Sequence, residues 1–244
     1  MKKIYADLHL CANLNDREQM ERMIKKAVRL GYRQTAIPIS RGFSEHDFQQ
    51  LKTACAETGM DLVSRVDLRP RTSDELLRDL RRVRRNYEVV AVMCDSKNVA
   101  RQAAKDRRVD VLNFPAVDFH WRFFDLAEAE LASSSLASLE VDIQPLLTLD
   151  GSARSKLLSS LRREAATAKA FHVPIIMSSG VSDERLMRKP LELAALASLF
   201  DMNEISALEA VSKNPATVVK RNREKLDSKF VAPGIRVVRR GKDC

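Results

Sequence analysis

A chain of 244 residues with 42 Lys and Arg against 33 Asp and Glu carries a formal charge of +9, and its length suits one large α/β domain or two small ones with a real core. The excess favours a polyanionic partner such as RNA, DNA or an acidic protein, while aromatics at 5% argue against a base-stacking sheet. With 7 glycines and neither G-x-G-x-x-G nor G-x-x-x-x-G-K-[ST], both nucleotide-binding loops are excluded, and the scattered Cys11, Cys55, Cys94 and Cys244 suit neither a zinc ribbon nor a disulfide scaffold.

The first predicted element is a short apolar strand at 4–8, inside the stretch YADLHLC at 5–11. In extended backbone Asp7, His9 and Cys11 alternate, so all three point the same way. An amphipathic helix follows over 17–30, with Met20, Met23, Ile24, Ala27 and Val28 on one face and Lys25, Lys26 and Arg29 turned away. Asn15 and Glu18 have the spacing of a capping box, and Gly31 is placed to end the helix, as Gly59 is after the second one. Further strands are predicted at 34–39, 60–66, 88–93, 110–114, 139–143 and 173–177. All are short, β-branched and apolar, the pattern of strands buried on both faces of a parallel sheet. Asn214-Pro215 reads as an N-cap and N1 proline opening a last helix through Val218 and Val219.

Strict strand–helix alternation, with a period of about 25–30 residues, predicts right-handed crossovers and a parallel sheet. The expected fold is an α/β, TIM-barrel-like (β/α) barrel, incomplete at about seven parallel strands because no eighth is visible after residue 200. Residues 1–227 are expected to form this single domain, and 228–244 a basic C-terminal tail with a mobile end. No signal-peptide pattern and no apolar run of roughly 18–20 residues is present, so the expected location is cytoplasmic.

Function in such barrels collects at the C-terminal ends of the strands, where Asp7, His9 and Cys11 fall. A hydrolytic metal centre needs about three or four ligands. His46 near the second helix, Asp118 and His120 after the fifth strand, and Asp183 are the other candidates, while His172 precedes strand seven at the wrong end. This thin census leaves two alternatives open: a working metal site, or an acid and a histidine hydrogen-bonded inside the mouth. Ser178 and Ser179 lack a G-x-S-x-G or S-x-x-K context and read as turn residues.

The positive charge is patterned. Within LLRDLRRVRR, Arg78, Arg81, Arg82 and Arg85 share one arc opposite Leu76, Leu80 and Val83. In the next helix Lys97, Arg101, Lys105 and Arg108 form a second stripe, with Val99 and Ala103 turned inward. A charged helix face is commonly just solvated, but these stripes are nearly all of one sign, and like charges at i, i+4 repel. They therefore read as one basic wall for a phosphate backbone. Arg122 beside Trp121, and Arg188 with Lys189 just before Pro190, add candidates in strand-end loops.

The opening DLHLC resembles the DLHxH of polymerase-and-histidinol-phosphatase-type phosphoesterases, with Cys11 in place of their second histidine, a poor ligand for oxygen- and nitrogen-rich metal centres. The whole chain is more similar to the ribonuclease P protein component 3 family. The similarity runs through YADLHL, AVRLGYRQTAIPI, VLNFP and LASLEVDIQPLL, is most specific in VPIIMSSGVSDERLMRKPLELAALASLFDM, and closes with ALEAVSKNPATVVKRNR, covering 3–225. That resemblance implies a barrel that kept its shape and lost its catalytic metal, leaving Asp7 and His9 as vestiges. It implies a non-catalytic, RNA-binding subunit that supports 5′-leader removal by a catalytic RNA. Implied partners are ribonuclease P RNA, precursor tRNA, protein component 2 and other protein subunits, with no membrane. No cofactor is expected on this chain, and Mg2+ is expected only for the partner RNA. At matching positions Arg78, Lys97, Arg101, Arg122 and Arg188 are the implied RNA contacts, joined by Arg81, Arg82 and Lys189 from the residue reading. Gln144 stands where the family often carries arginine. The competing reading is a free-standing metal-dependent phosphoesterase with its site around Asp7 and His9.

Overall fold

In a computed structural model, residues 3–39, 45–116, 122–232 and 235–237 are described. The seven predicted strands are all present, as β1 Ala6–Asp7, β2 Gln34–Pro38, β3 Asp61–Leu68, β4 Val89–Met93, β5 Val111–Asn113, β6 Ser138–Asp142 and β7 Ile175–Ser178. They form one sheet in the order β1 to β7, and each neighbouring pair is parallel. The helices between them are α1 Arg17–Leu30, α2 Glu45–Glu57, α3 Ser73–Val83, α4 Lys97–Lys105, α5 Leu126–Ser135, α6 Gln144–Thr148 and α7 Gly151–Ala170. After β7 come α8 Pro190–Leu196, α9 Glu204–Ala210 and α10 Lys213–Leu226.

The barrel nearly closes without an eighth strand. On one side of the gap, Gly180 N donates to His9 O at 2.9 Å and Cys11 N to Val181 O at 3.0 Å, tying the segment after β1 to the one after β7. On the other, Ala6 N donates to Val211 O at 3.1 Å, and the Asn214 amide to Ile175 O at 2.8 Å. Val218 and Val219 of α10 then pack with Leu8, Val63, Ala91, Val111 and Ile176. Helix α10 thus lies across the N-terminal ends of the strands, where Asn222 and Arg223 also bond Glu88 before β4 and Arg223 bonds Asp61 of β3.

Local expectations mostly hold, with informative exceptions. Met20, Met23, Ile24 and Ala27 of α1 are buried, and Gly31 takes the left-handed φ of 104° that ends the helix. The cap, however, is Asp16, whose carboxylate accepts from Gln19 N, rather than Asn15. Helix α10 starts at Lys213 after Ser212, so Asn214 is not its cap and reaches across to β7 instead. The predicted tail contains a short antiparallel hairpin, β8 Phe230–Ala232 with β9 Ile235–Arg236, while 238–244 lie outside the described residues. No helix among the described residues is long and apolar enough to cross a membrane.

Candidate functional site

The C-terminal ends of β1, β3, β5, β6 and β7 converge on a buried polar cluster. At its centre is Arg65 of β3, fully buried although it is an arginine. Its fork grips Glu140 of β6, Nη1 and Nη2 each donating at 2.7 Å, while Nε donates to Asp67 at 2.7 Å and Nη1 also to Leu8 O at 2.6 Å. Such bidentate geometry is what makes a buried ion pair tolerable, because every donor removed from water finds an acceptor. The Ser178 hydroxyl at 2.7 Å and the Asn113 amide at 2.9 Å also donate to Glu140, and Asn113 further reaches Asp142 at 2.9 Å.

His9 sits above this pair. Its Nδ1 is 2.8 Å from Asp142 Oδ1 and its Nε2 is 3.1 Å from Asp67 Oδ2, so both ring nitrogens face carboxylates. Burial and the Arg65 charge oppose protonation, yet Asp142 and Asp67 outweigh them and hold the imidazole well above its usual range. Burial alone would raise Glu140 and Asp67, but Arg65 beside each holds both carboxylates low. Three carboxylates thus meet the Arg65 guanidinium and the His9 ring.

Asp7 departs from expectation. Its carboxylate does not join His9 on the mouth but accepts from Ser179 N at 3.0 Å and His9 N at 3.2 Å, stitching β1 to β7, and burial raises its pKa. Cys11 is a free thiol outside the cluster, because the strand ends at Asp7 and the backbone then bends into the seam. Ser178 and Ser179 are buried hydrogen-bonding residues, in keeping with the turn reading. His46 is exposed and bonded to Gln50, His172 is exposed at the bottom with φ 56°, and Asp183 caps the turn at Arg185. Asp118, His120 and Trp121 lie outside the described residues.

His9, Glu140 and Asp142 each bring a ligand atom within 4.8 Å of the others, the one such grouping among the described residues. As arranged, they do not fit a metal. Both Glu140 oxygens are held by the Arg65 fork, and both His9 nitrogens by carboxylates. The signal was present in the sequence, since an arginine in a strand buried on both faces needs an internal acid. The partner acids, 75 residues away for Glu140, were not legible.

The basic candidates separate into three places. Arg78, Arg81, Arg82 and Arg85 are exposed along α3 and just past its end, and among the described residues none of the four enters an ion pair. Lys97 on neighbouring α4 is exposed as well, but Arg101 is drawn to Asp125 at 2.6 Å and Arg108 to Asp106 at 2.6 Å. The second stripe is therefore half as open as its spacing predicts. Arg122 is a correction: it lies inside the protein, its guanidinium bonded to Glu164 of α7 and to the carbonyls of Phe114 and Pro115. Arg188 pairs with neither Asp183 nor Glu184; its Nη1 donates to the carbonyls of Arg185 and Met187 at 2.9 and 3.1 Å. Lys189 is exposed and precedes α8, with its backbone N donating to Glu192. Helix α8 follows β7 and α3 follows β3, so these candidates lie on opposite sides of the barrel. A cluster that the sequence reading missed joins them at the bottom, where Arg84 and Arg221 both grip Asp110 at the start of β5.

Seven parallel strands alternating with helices in a nearly closed barrel define an α/β barrel of the TIM-barrel-like class. The family profile for RNase P subunit p30 matches residues 4–227, and the chain belongs to that family. Ribonuclease P protein component 3 of Methanosarcina barkeri is 34% identical over 158 residues, 65% of each chain. That of Methanococcoides burtonii is 26% identical over 97% of this chain and 95% of its own. The chain also superimposes on one from a cryo-EM structure of archaeal Ribonuclease P with mature tRNA, with a TM-score of 0.84 at 20% identity, covering 98% of this chain and 100% of that one. The lactonase Lmo2620 from Listeria monocytogenes shares the barrel at a TM-score of 0.53 and 10% identity, covering 89% of this chain and 94% of that one. These structural likenesses establish the fold.

Proposed function

We propose that this chain is a non-catalytic, RNA-binding protein subunit of ribonuclease P, supporting removal of 5′ leaders from precursor tRNA in the cytoplasm. The observation that carries this reading is where the charge is satisfied and where it is not. In the mouth, Arg65 and His9 occupy the carboxylates that a hydrolytic centre would use. Outside, the arginines of α3 and Lys97 of α4 stand exposed, a surface suited to the phosphate backbone and A-form shape of a structured RNA. The partners of this reading are ribonuclease P RNA, precursor tRNA and protein component 2, with Mg2+ serving the RNA.

The test uses the full chain, alone and reconstituted with a cognate catalytic RNA and its protein partners. Alone, it is expected to leave precursor tRNA intact; added to the ribonucleoprotein, it is expected to raise cleavage at limiting Mg2+. Cleavage by the isolated chain that disappears in His9→Ala would instead support the phosphoesterase reading.

A further inference from the structure

We propose that Arg65 is the resident cation of the barrel mouth, holding the place of a divalent metal, and that its removal uncovers a metal site made by His9, Glu140 and Asp142. This inference rests on the geometry of the mouth and not on the RNA-binding reading.

The donor set is right for an ion and wrong only in being occupied. One imidazole and two carboxylates offer nitrogen and oxygen ligands whose atoms lie within 4.8 Å of one another. That span is about twice a metal–oxygen bond of roughly 2.0–2.4 Å, so the three atoms can converge on one ion. The supports that orient metal ligands are also in place. Ser178 and Asn113 hold Glu140, and Asn113 holds Asp142, by bonds of 2.7–2.9 Å that involve no arginine atom. Asp67, bonded to Arg65 Nε at 2.7 Å and to His9 at 3.1 Å, stands ready as a further acid once the guanidinium is gone.

Charge shows why something positive must sit there. Asp67, Glu140 and Asp142 surround His9, and without Arg65 the imidazole alone would face all three. A guanidinium anchored to β3 supplies a positive charge that cannot dissociate, and its planar fork takes both Glu140 oxygens. It both neutralises the acids and bars an ion from them. Had Arg65 only filled space, its fork would not match Glu140 atom for atom while Nε serves Asp67.

The experiment compares the chelator-treated full chain with Arg65→Ala, by thermal melting with and without millimolar Mn2+ and by elemental analysis after desalting. Wild type is expected to melt at the same temperature in both conditions and to retain no Mn2+. Arg65→Ala is expected to melt lower, to recover at least half of that loss in Mn2+, and to hold one ion per chain. Adding Glu140→Gln is expected to abolish the recovery. Arg65→Gln, whose amide nitrogen falls where Nε donates to Asp67 and which releases both Glu140 oxygens, is measured in parallel in case the alanine variant does not fold. A wild type that binds one Mn2+ overturns the proposal. So does a folded Arg65 variant without an ion-dependent shift, or failure of both variants to fold with Mn2+ present.

Discussion

Arg122 has the sequence context of a surface cation, in a loop beside a tryptophan, yet its side chain is 3% exposed because Glu164 of α7 meets it from inside. Removing one member of a buried pair leaves the other charge without a partner, so Arg122→Ala should cost about 3–5 kcal/mol in urea denaturation. The double variant Arg122→Met, Glu164→Leu should recover most of that loss, since no charge is then stranded. A variant as stable as wild type would return Arg122 to the surface. Glu128 offers a residue-scale test in pH. It is fully buried at α5, both carboxylate oxygens lack a hydrogen bond, and burial raises its pKa to about 7 despite Arg101 nearby. A raised carboxylate means that the folded state holds its proton longer than the unfolded chain. The associated stability is fully present below about pH 4.5 and is lost as pH rises through about 7. Glu128→Gln mimics the protonated form, so its stability relative to wild type should rise by ~1–3 kcal/mol between pH 4.5 and 7.5. A flat difference would show that Glu128 ionises freely.

At the scale of elements, the seam between β1 and β7 is where the barrel either closes or stays open. It is made by turn backbone and short side chains rather than a strand ladder, and Gly180 is its tightest point. Its φ is 62°, and a Cβ added there would lie 2.8 Å from both Cβ and Cγ of Asp142. Gly180→Ala thus combines left-handed strain with a push against one of the mouth's acids, and should destabilise by about 2–4 kcal/mol. Because the strain falls on Asp142, hydrogen exchange should rise first in the segments after β1 and β7. Uniform exchange across the sheet would place the closure elsewhere. The same seam accounts for where the Asp7 carboxylate is held. An isolated acid on a two-residue strand finds two backbone donors nearer than any ion.

Over the whole molecule, the +9 charge is not spread evenly. Many of the individual cations are held by acids: Arg65, Arg84, Arg101, Arg108, Arg122, Arg221 and Arg223 all form ion pairs within the fold. The exposed face of α3 and the residues just past its end concentrate four arginines, Arg78, Arg81, Arg82 and Arg85, that a polyanion could reach. If that face grips RNA phosphates, log K should fall with log salt by roughly 0.7–0.9 per contact. Replacing Arg81 and Arg82 together by alanine should flatten that slope by about one to two units while leaving the melting temperature nearly unchanged. Arg84→Ala, one residue past α3, should do the reverse, lowering the melting temperature by leaving the buried Asp110 with Arg221 as its remaining arginine partner. An unchanged slope for Arg81 and Arg82 would reduce the face to solvated surface.

The amino-acid sequence by itself determined the strand–helix alternation, all seven strands, the parallel sheet and the buried faces of α1, α3 and α4. These follow from short-range periodicity, which a chain cannot hide. It also determined that α3 would present arginines outward, because Leu76 and Leu80 claim the other side. Which charges are spent and which are free was decided only by the tertiary structure. Arg78 and Arg122 are the same residue type, and they differ because Glu164, many residues away, meets Arg122 inside the fold while Arg78 stays exposed. The barrel mouth was decided in the same way. His9 was visible as a candidate, but Arg65, Glu140 and Asp142 come from separate strands, and burial forces acid and base to pair across them because water is not there to solvate either.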